Sequence, residues 1–475
     1  MSDNSAIEWT DATWNPVTGC TKVGPGCDNC YAERFAERFR GVAGHPYEPG
    51  FDLTLRPERL DLSLRWRKPR MVFVNSMSDL FHKVVPRAFV DAVFDTMEEA
   101  SQHVFQVLTK RSSRLRIYVN TRYADRPVPQ NIWLGVYRVV NGANEIIDGV
   151  PGVEDATFTD EEKTEIIAEA KCIRALGYLD LLVHYGEHWD LTSEHGLPLI
   201  TKSTNSDYAN IDLVSRSSVQ ETYNLILNDL ESAEAGLPDS DNRTVATKAL
   251  AQCLLARTHL HMQDYASAIT YASLVIGNAN FSLNPSFSDI FQSDLTSESV
   301  FELVSTSLDQ SSLAVYTIIR DEVLPDEELK ASFSENDSRR VLIGPVEGKP
   351  NERFLKAEDF SSHANPAYVI RMGEVYLFRA EAKHFSGDDA GALEDLNAVR
   401  TRAGLEPYAD SNDFLNKYMD ENRWELFAEG KRLSTLTRIG KAQEVLGIED
   451  FRRIYPIPFR EFTIEGNQLV QNPGY

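Results

Sequence analysis

The stretch Asn365 to Leu405, NPAYVIRMGEVYLFRAEAKHFSGDDAGALEDLNAVRTRAGL, constrains the fold more than any other. It reads as two helices joined by a tight turn. Val369, Met372, Tyr376, Arg379 and Ala380 recur at spacings of three and four, which predicts one mostly apolar helical face from about Ala367 to Phe385. Ser386-Gly387 breaks that helix, and Asp388 or Asp389 can cap the next. The second helix carries Leu393, Leu396 and Val399 along one side and meets Gly404 where a C-terminal glycine is expected. Small Ala380 and Ala382 facing Ala392 allow close antiparallel approach. Pattern alone is also met by a helical hairpin in any all-α protein.

The same design recurs upstream. Phe158-Thr159-Asp160 caps a long helix through Tyr185, and Ser217 to Glu221 begins another that runs to about Leu237. Ala246 to Met262 and Tyr265 to Ile276 form a second hairpin, with Asp264 as a cap. A single pair cannot bury both its faces, so pairs stack. The expected fold class is mainly α: a tetratricopeptide-like helical scaffold. Residues 278–364 interrupt it with loops and short strands, the kind of insertion that often builds a binding face.

The block IRMGEVYLFRAEA at 370–382 resembles the SusD/RagB family of outer-membrane nutrient-binding proteins. Further blocks follow in that family's order: Glu421 to Leu426 with Gly430-Lys431-Arg432, then Tyr455 to Pro458, then NQLVQNPGY at the C-terminus. The resemblance covers roughly Tyr137 to Tyr475. It implies a binder rather than an enzyme, one that captures an oligosaccharide or another nutrient over a SusC-like TonB-dependent transporter at the cell outer membrane.

Charge divides the chain at a similar place. Residues 1–136 hold 18 basic and 16 acidic residues, whereas 137–475 hold 30 and 56. The acidic part is unsuited to neutralising phosphates, so no nucleic-acid partner is expected there. No run of eighteen apolar residues predicts a transmembrane helix. The start, MSDNSAIEWTDATWNP, has neither a basic n-region nor an apolar h-region. From that start alone, a chain with no signal peptide or lipid anchor is expected, cytoplasmic as written, against the family's usual location.

Residues 1–136 read as apolar strands alternating with helices, the pattern of parallel βα units. Strands are expected at 71–75, 104–108 and 132–136. Cys20-x6-Cys27-x2-Cys30 lies on a loop after the first strand. Three thiolates so spaced can ligate three irons of a 4Fe-4S cluster. They can also hold zinc, with His45 as a distant fourth ligand, or stay unligated. Asp79 and Lys110, each just after a later strand, are expected on the same rim as contacts to a cofactor's amine or carboxylate. The stretch IEWTDATWNPVTGCTKVGPGCDNCYAERFAERFRG, with FVNSMSDLFH, FQVLTKR and NIWLGV, resembles a phage-associated family of radical-SAM-like proteins of unknown function. That resemblance implies S-adenosylmethionine as a cosubstrate. It stops near Val136, which leaves an incomplete α/β, partial barrel-like segment with few strands to wall off a cluster. The expected division is 1–136 and 137–475, joined without a linker as in a chimeric reading frame.

In the acidic part no catalytic constellation stands out. His184 and His188 have a metal-like spacing but lack an intervening HExxH. Cys172 and Cys253 sit alone in apolar helical patterns and read as small buried hydrophobes. Sugar capture rests on aromatic faces flanked by polar groups. Tyr185 and Trp189, in HYGEHWDL after the long helix, are the candidate ligand-binding residues, with a core plug as the plainer role for Trp189.

Overall fold

The computed structural model describes residues 7, 10–24, 27–100, 102–111, 114–115, 118, 127–204, 213–306, 308, 311, 314–319, 323–357, 367–462, 464 and 466–475. The chain forms two compact units, Met1–Ala124 and Asp125–Tyr475.

The first unit is α/β. Strands β1 (Ala12–Trp14), β4 (Met71–Val74) and β5 (Val104–Val107) form a parallel sheet in the order β1-β4-β5. A small antiparallel pair, β2 (Val17–Thr18) with β3 (Thr54–Leu55), lies beside the loop that follows β1. Helix α1 spans Tyr31–Glu37 and α2 spans Arg87–Glu99. The core gathers Trp14, Val72, Val74, Phe81, Val90 and Phe94. Apolar residues run consecutively through Val72-Phe73-Val74 because both faces of this central strand are covered.

The second unit is mainly helical: α3 (Pro127–Gly149), α4 (Asp160–Tyr185), α5 (Val219–Gly236), α6 (Lys248–His261) and α7 (Tyr265–Ile276) precede its loop-rich part. That part carries β6 (Ser299–Leu303), β7 (Ile343–Gly344) and β8 (Arg353–Phe354). It leads into β9 (Ala367–Arg371), α8 (Met372–Phe385), α9 (Asp389–Arg402), α10 (Phe414–Leu426) and α11 (Arg432–Arg438). Successive helices α3 to α7 pack as neighbours, and α8 packs on both α7 and α9. The caps are those expected from sequence. Thr159 with Glu162 and Ser218 with Glu221 form capping boxes, and Asp264 and Asp388 accept from the backbones of Ser267 and Gly391. Gly404 takes φ +83, the left-handed value that ends α9. Among the described residues no helix is long and apolar enough to cross a membrane.

Three local expectations are corrected. Residues 132–136 are not a strand; they lie inside α3, whose Trp133 and Val140 face packs into the α4–α5 core. The expected division at 136/137 therefore falls within a continuous helix, and the two units divide at Ala124/Asp125. Residues 367–371 are a strand rather than the start of α8. They pair antiparallel with β6, Leu303 opposite Ala367 and Ser299 opposite Arg371, and a backbone pairing partner outweighs helical periodicity. Asn365 and Pro366 lie outside the described residues.

The segments that carry the family resemblance meet at a buried ion network. Arg371 donates to Glu298 Oε1 at 2.7 Å and to Glu429 Oε1 at 2.9 Å, and also bonds Glu425. Arg402 bonds Glu298 Oε2 at 2.6 Å, and Arg339 joins Asp337 to Glu421 at 2.7 Å each. Burial pushes the Glu425 carboxyl up, but Arg402, Arg371 and Arg339 outweigh it and hold the group well below the usual carboxylate range. Gly373 opens this space: a Cβ there would lie 2.4 Å from Glu425 Oε1 and 2.6 Å from Arg371 Nη1. Such networks are costly to break because a removed partner strands a buried charge. Arg371, Glu421 and Glu425 thus hold the scaffold; they are not ligand contacts.

Candidate functional site

In the first unit, the parallel strands end on one rim. The loop after β1 is folded back by Gly19 at φ +79, where a Cβ would meet Asp52 O at 2.2 Å. After β4, Asn75 adopts φ +57 and accepts from Val17 N through its side chain. The rim encloses a cavity of about 510 Å³ whose lining includes Cys20, Cys27, Cys30, Asp79, Lys110 and Arg111. The carboxyl edge of a parallel sheet is where α/β folds collect ligands.

The structure brings the three cysteines, Asp79 and Lys110 to this one cavity. It also changes the role expected of Asp79. Its carboxylate accepts from Phe81 N, Thr109 Oγ1, Lys110 N and Arg111 Nη1 at 2.7 to 3.1 Å, so its acceptor sites are occupied from within. Asp79 ties the ends of β4 and β5 together instead of reaching for a cofactor amine. His45 is not a ligand at this rim. It stacks on Phe39 at 3.9 Å and accepts from Tyr47 N.

Arg111 was not singled out by sequence. Its guanidinium donates to Asp79 at 2.9 Å, to Cys20 Sγ at 3.4 Å and to Thr21 O at 2.8 Å. The only signal was its place at the end of a strand-terminal Thr-Lys-Arg. Burial pushes the Cys20 thiol up, with Arg111 opposing. The Cys27 thiol is drawn down, chiefly by backbone hydrogen bonding at Val23. No group of three His, Cys, Asp or Glu among the described residues is arranged to hold a metal ion. The donor set itself, three soft sulfurs on one wall, is of the type that iron–sulfur clusters and zinc take.

In the second unit, the HYGEHWDL segment leaves α4 at Tyr185. Tyr185, expected on a ligand face, is fully buried. Its ring meets Trp133 edge-on at 5.0 Å, and its carbonyl accepts from Asn472. A ring in the core has no face to offer a sugar. His188 lies beyond the helix end, so its four-residue spacing from His184 does not place the two on one helical face. His188 Nδ1 lies 3.1 Å from His261 Nδ1, and His184 Nδ1 bonds Asp180 O. Burial holds His188 neutral, down to about 3. Trp189 is half-buried, and Arg453 lies over one of its faces at 3.7 Å from the ring centroid.

This unit is a stacked-helix scaffold with an insertion-rich side, the architecture of a binding protein. The SusD family model matches residues 350–450. A SusD-like protein, P2, from Formosa agariphila is 26% identical over 425 residues, covering 74% of this chain and 81% of the relative. A SusD-like protein from Bacteroides ovatus is 25% identical over 413 residues, covering 69% and 73%. Among solved structures, a laminarin-binding SusD-like protein superposes with TM-score 0.62 at 25% identity, covering 76% of this chain and 89% of that one. The second unit is thus similar in sequence and in fold to proteins of the SusD/RagB family. At the start of the chain, a family model described as a protein of unknown function, DUF5131, matches residues 4–151, a span that runs on through α3.

Proposed function

We propose that the second unit captures an oligosaccharide and hands it to a SusC-like TonB-dependent transporter at the outer membrane. The observation that carries this reading is the likeness, at 25% identity over most of its length, to a solved laminarin-binding SusD-like protein. Trp189 is the residue of this chain best placed to serve it. It is a half-exposed aromatic next to the α4 terminus, braced on one face by Arg453. An aromatic face and a polar rim are what pyranose rings require. Isothermal titration against laminarin and other soluble glycans tests the reading. Binding is expected, and Trp189→Ala should weaken it by about five- to tenfold. No binding across a glycan array would sink the proposal. Copurification with a β-barrel transporter tests the partnership separately.

A second reading applies to the first unit: Cys20, Cys27 and Cys30 hold a 4Fe-4S cluster. The gathering of all three sulfurs at one sheet edge favours it. When bound, the cluster would supply one-electron chemistry, with S-adenosylmethionine as the expected cosubstrate. Lys110 and Arg111 would supply the positive charge at its border. Anaerobic reconstitution with iron and sulfide should give a visible absorbance band that is lost in Cys27→Ser. Absence of the band in the parent protein overturns this reading.

A further inference from the structure

The segment 427–432 runs between two cavities of the second unit, and Gly430 and Lys431 line both. The larger, about 530 Å³, is bounded by α10, the start of α11 and the short helix Glu327–Ser332. Leu329, Leu426, Phe427 and Leu433 are among its apolar walls, and Arg423 and Arg432 also line it. The volume lies within the range of small-ligand pockets.

Arg432 is in an unfavourable place for a cation. It is half-buried and stands close enough to Arg423 to be repelled by it. It opens α11, where the helix dipole disfavours positive charge. Among the described residues its side chain makes no hydrogen bond and no ion pair. The acids around it do not cancel this. Glu328 and Asp326 are 81% and 71% exposed and are engaged with Arg423, at 2.8 and 3.9 Å. Asp420, the remaining acid that acts on Arg432, is exposed. Lys431 turns its amine toward the other cavity, donating to Val369 O at 3.2 Å. Burial lowers the Arg432 pKa, with Arg423 adding to the effect. An arginine whose side chain has no hydrogen bond or ion pair, in a cleft beside a second arginine, is placed for a ligand.

We propose that Arg423 and Arg432 form a binding site for an oxyanion group, a carboxylate or sulfate, with the apolar walls holding the body that carries it. Guanidinium groups match planar and tetrahedral oxyanions through paired N–H donors. The ligand is a small organic anion such as an acidic or sulfated sugar, or the free ion. The site is separate from Trp189 and does not rest on the laminarin reading.

Thermal shift and calorimetry on the full chain at constant ionic strength test it with three probes: glucuronate, inorganic sulfate and glucose. Glucuronate or sulfate should raise the melting temperature, and glucose should not. Arg432→Gln should weaken anion binding by about tenfold, the loss of one charge-assisted contact. Arg432→Lys should retain part of it. Because the Arg432 side chain makes no hydrogen bond or ion pair, and burial and Arg423 both disfavour its charge, Arg432→Gln should leave the ligand-free melting temperature unchanged or higher, which a structural arginine would not allow. Tighter binding of glucuronate than sulfate assigns the site to a sugar-borne anion, and the reverse order assigns it to a free or ester sulfate. Equal response to glucose, anion binding untouched by Arg432→Gln, or a lower ligand-free melting temperature in that variant would each overturn the proposal.

Discussion

In the first unit Cys20, Cys27 and Cys30 are half-buried around one cavity, while in the second Cys172 and Cys253 are sealed inside α4 and α6. The residue type is the same, but the surroundings differ. Burial pushes the Cys172 thiol up to about 12, and Cys253 higher still. Cys27 has backbone hydrogen bonding and the nearby charges of Lys110 and Arg111, and its thiol moves down. The same contrast holds for arginine. Arg371 lies among Glu298, Glu425 and Glu429 and holds the scaffold, whereas Arg111 sits at a cavity wall and touches a sulfur. A reactive group is available only where the fold leaves water or a cavity beside it. Where it does not, the same group becomes packing or a counter-ion.

Alkylation gives the sharpest test of that contrast. At neutral pH Cys27 should react on the order of a thousandfold faster than Cys172 in the folded chain, since only the thiolate attacks. Peptide mapping after timed iodoacetamide exposure measures the ratio. Comparable rates would mean that α4 does not seal its cysteine.

The next effect in size is the ion network. Arg371→Met leaves three carboxylates facing one another without their shared cation. A loss of about 3–5 kcal/mol is expected, read as a lower urea midpoint for the helical signal. An unchanged midpoint would show that the network is not what holds the second unit.

Buried imidazole extends the comparison to nitrogen. Burial, with Arg438 nearby, keeps His188 neutral down to about 3, and His261 is lowered in the same way. An unfolded histidine titrates near 6.5, so the unfolded chain binds the extra protons. The stability from neutral histidine is therefore complete above about pH 6.5 and is lost as pH falls from there toward 3. The slope reaches about 1.4 kcal/mol per pH unit per histidine. Urea midpoints at stepped pH values should follow this fall, and His188→Gln should flatten it. A flat profile in the parent protein would rule the pair out as an acid-sensitive element.

The smallest effect separates local from tertiary contributions. Thr159→Ala removes one half of an exposed capping box and should cost about 1 kcal/mol, read from the same urea transitions. A cost near that of Arg371→Met would mean that the cap has tertiary partners.

Much of the second unit could be read from sequence because its signals are local. Thr159 with Glu162, Ser218 with Glu221, Asp264, Asp388 and Gly404 each mark a helix end through bonds made within a few residues. Val369 and Ala367 misled the reading because their strand partner, β6, lies far away in sequence. Residues 132–136 misled it because a short apolar run fits either a buried strand or a buried helix face. At the candidate sites, the meeting of Cys20, Cys27, Cys30, Asp79 and Lys110 followed from strand-end positions in a parallel sheet. The saturation of Asp79, the role of Arg111 and the burial of Tyr185 did not.

The helical hairpins, their caps, the parallel βα start and the likeness to the SusD/RagB family are all legible in the residues, since each rests on periodicity, local hydrogen bonding or ordered motifs. Which side chains face a cavity and which face a counter-ion follows from the packing of the whole chain. Arg371 and Arg432 lie in neighbouring motif blocks and look alike in sequence. One lies among three carboxylates contributed by residues 54 to 73 positions away, and the other meets a second arginine across a cleft. Electrostatic environment is set by groups brought together from distant parts of the chain, so no local pattern records it.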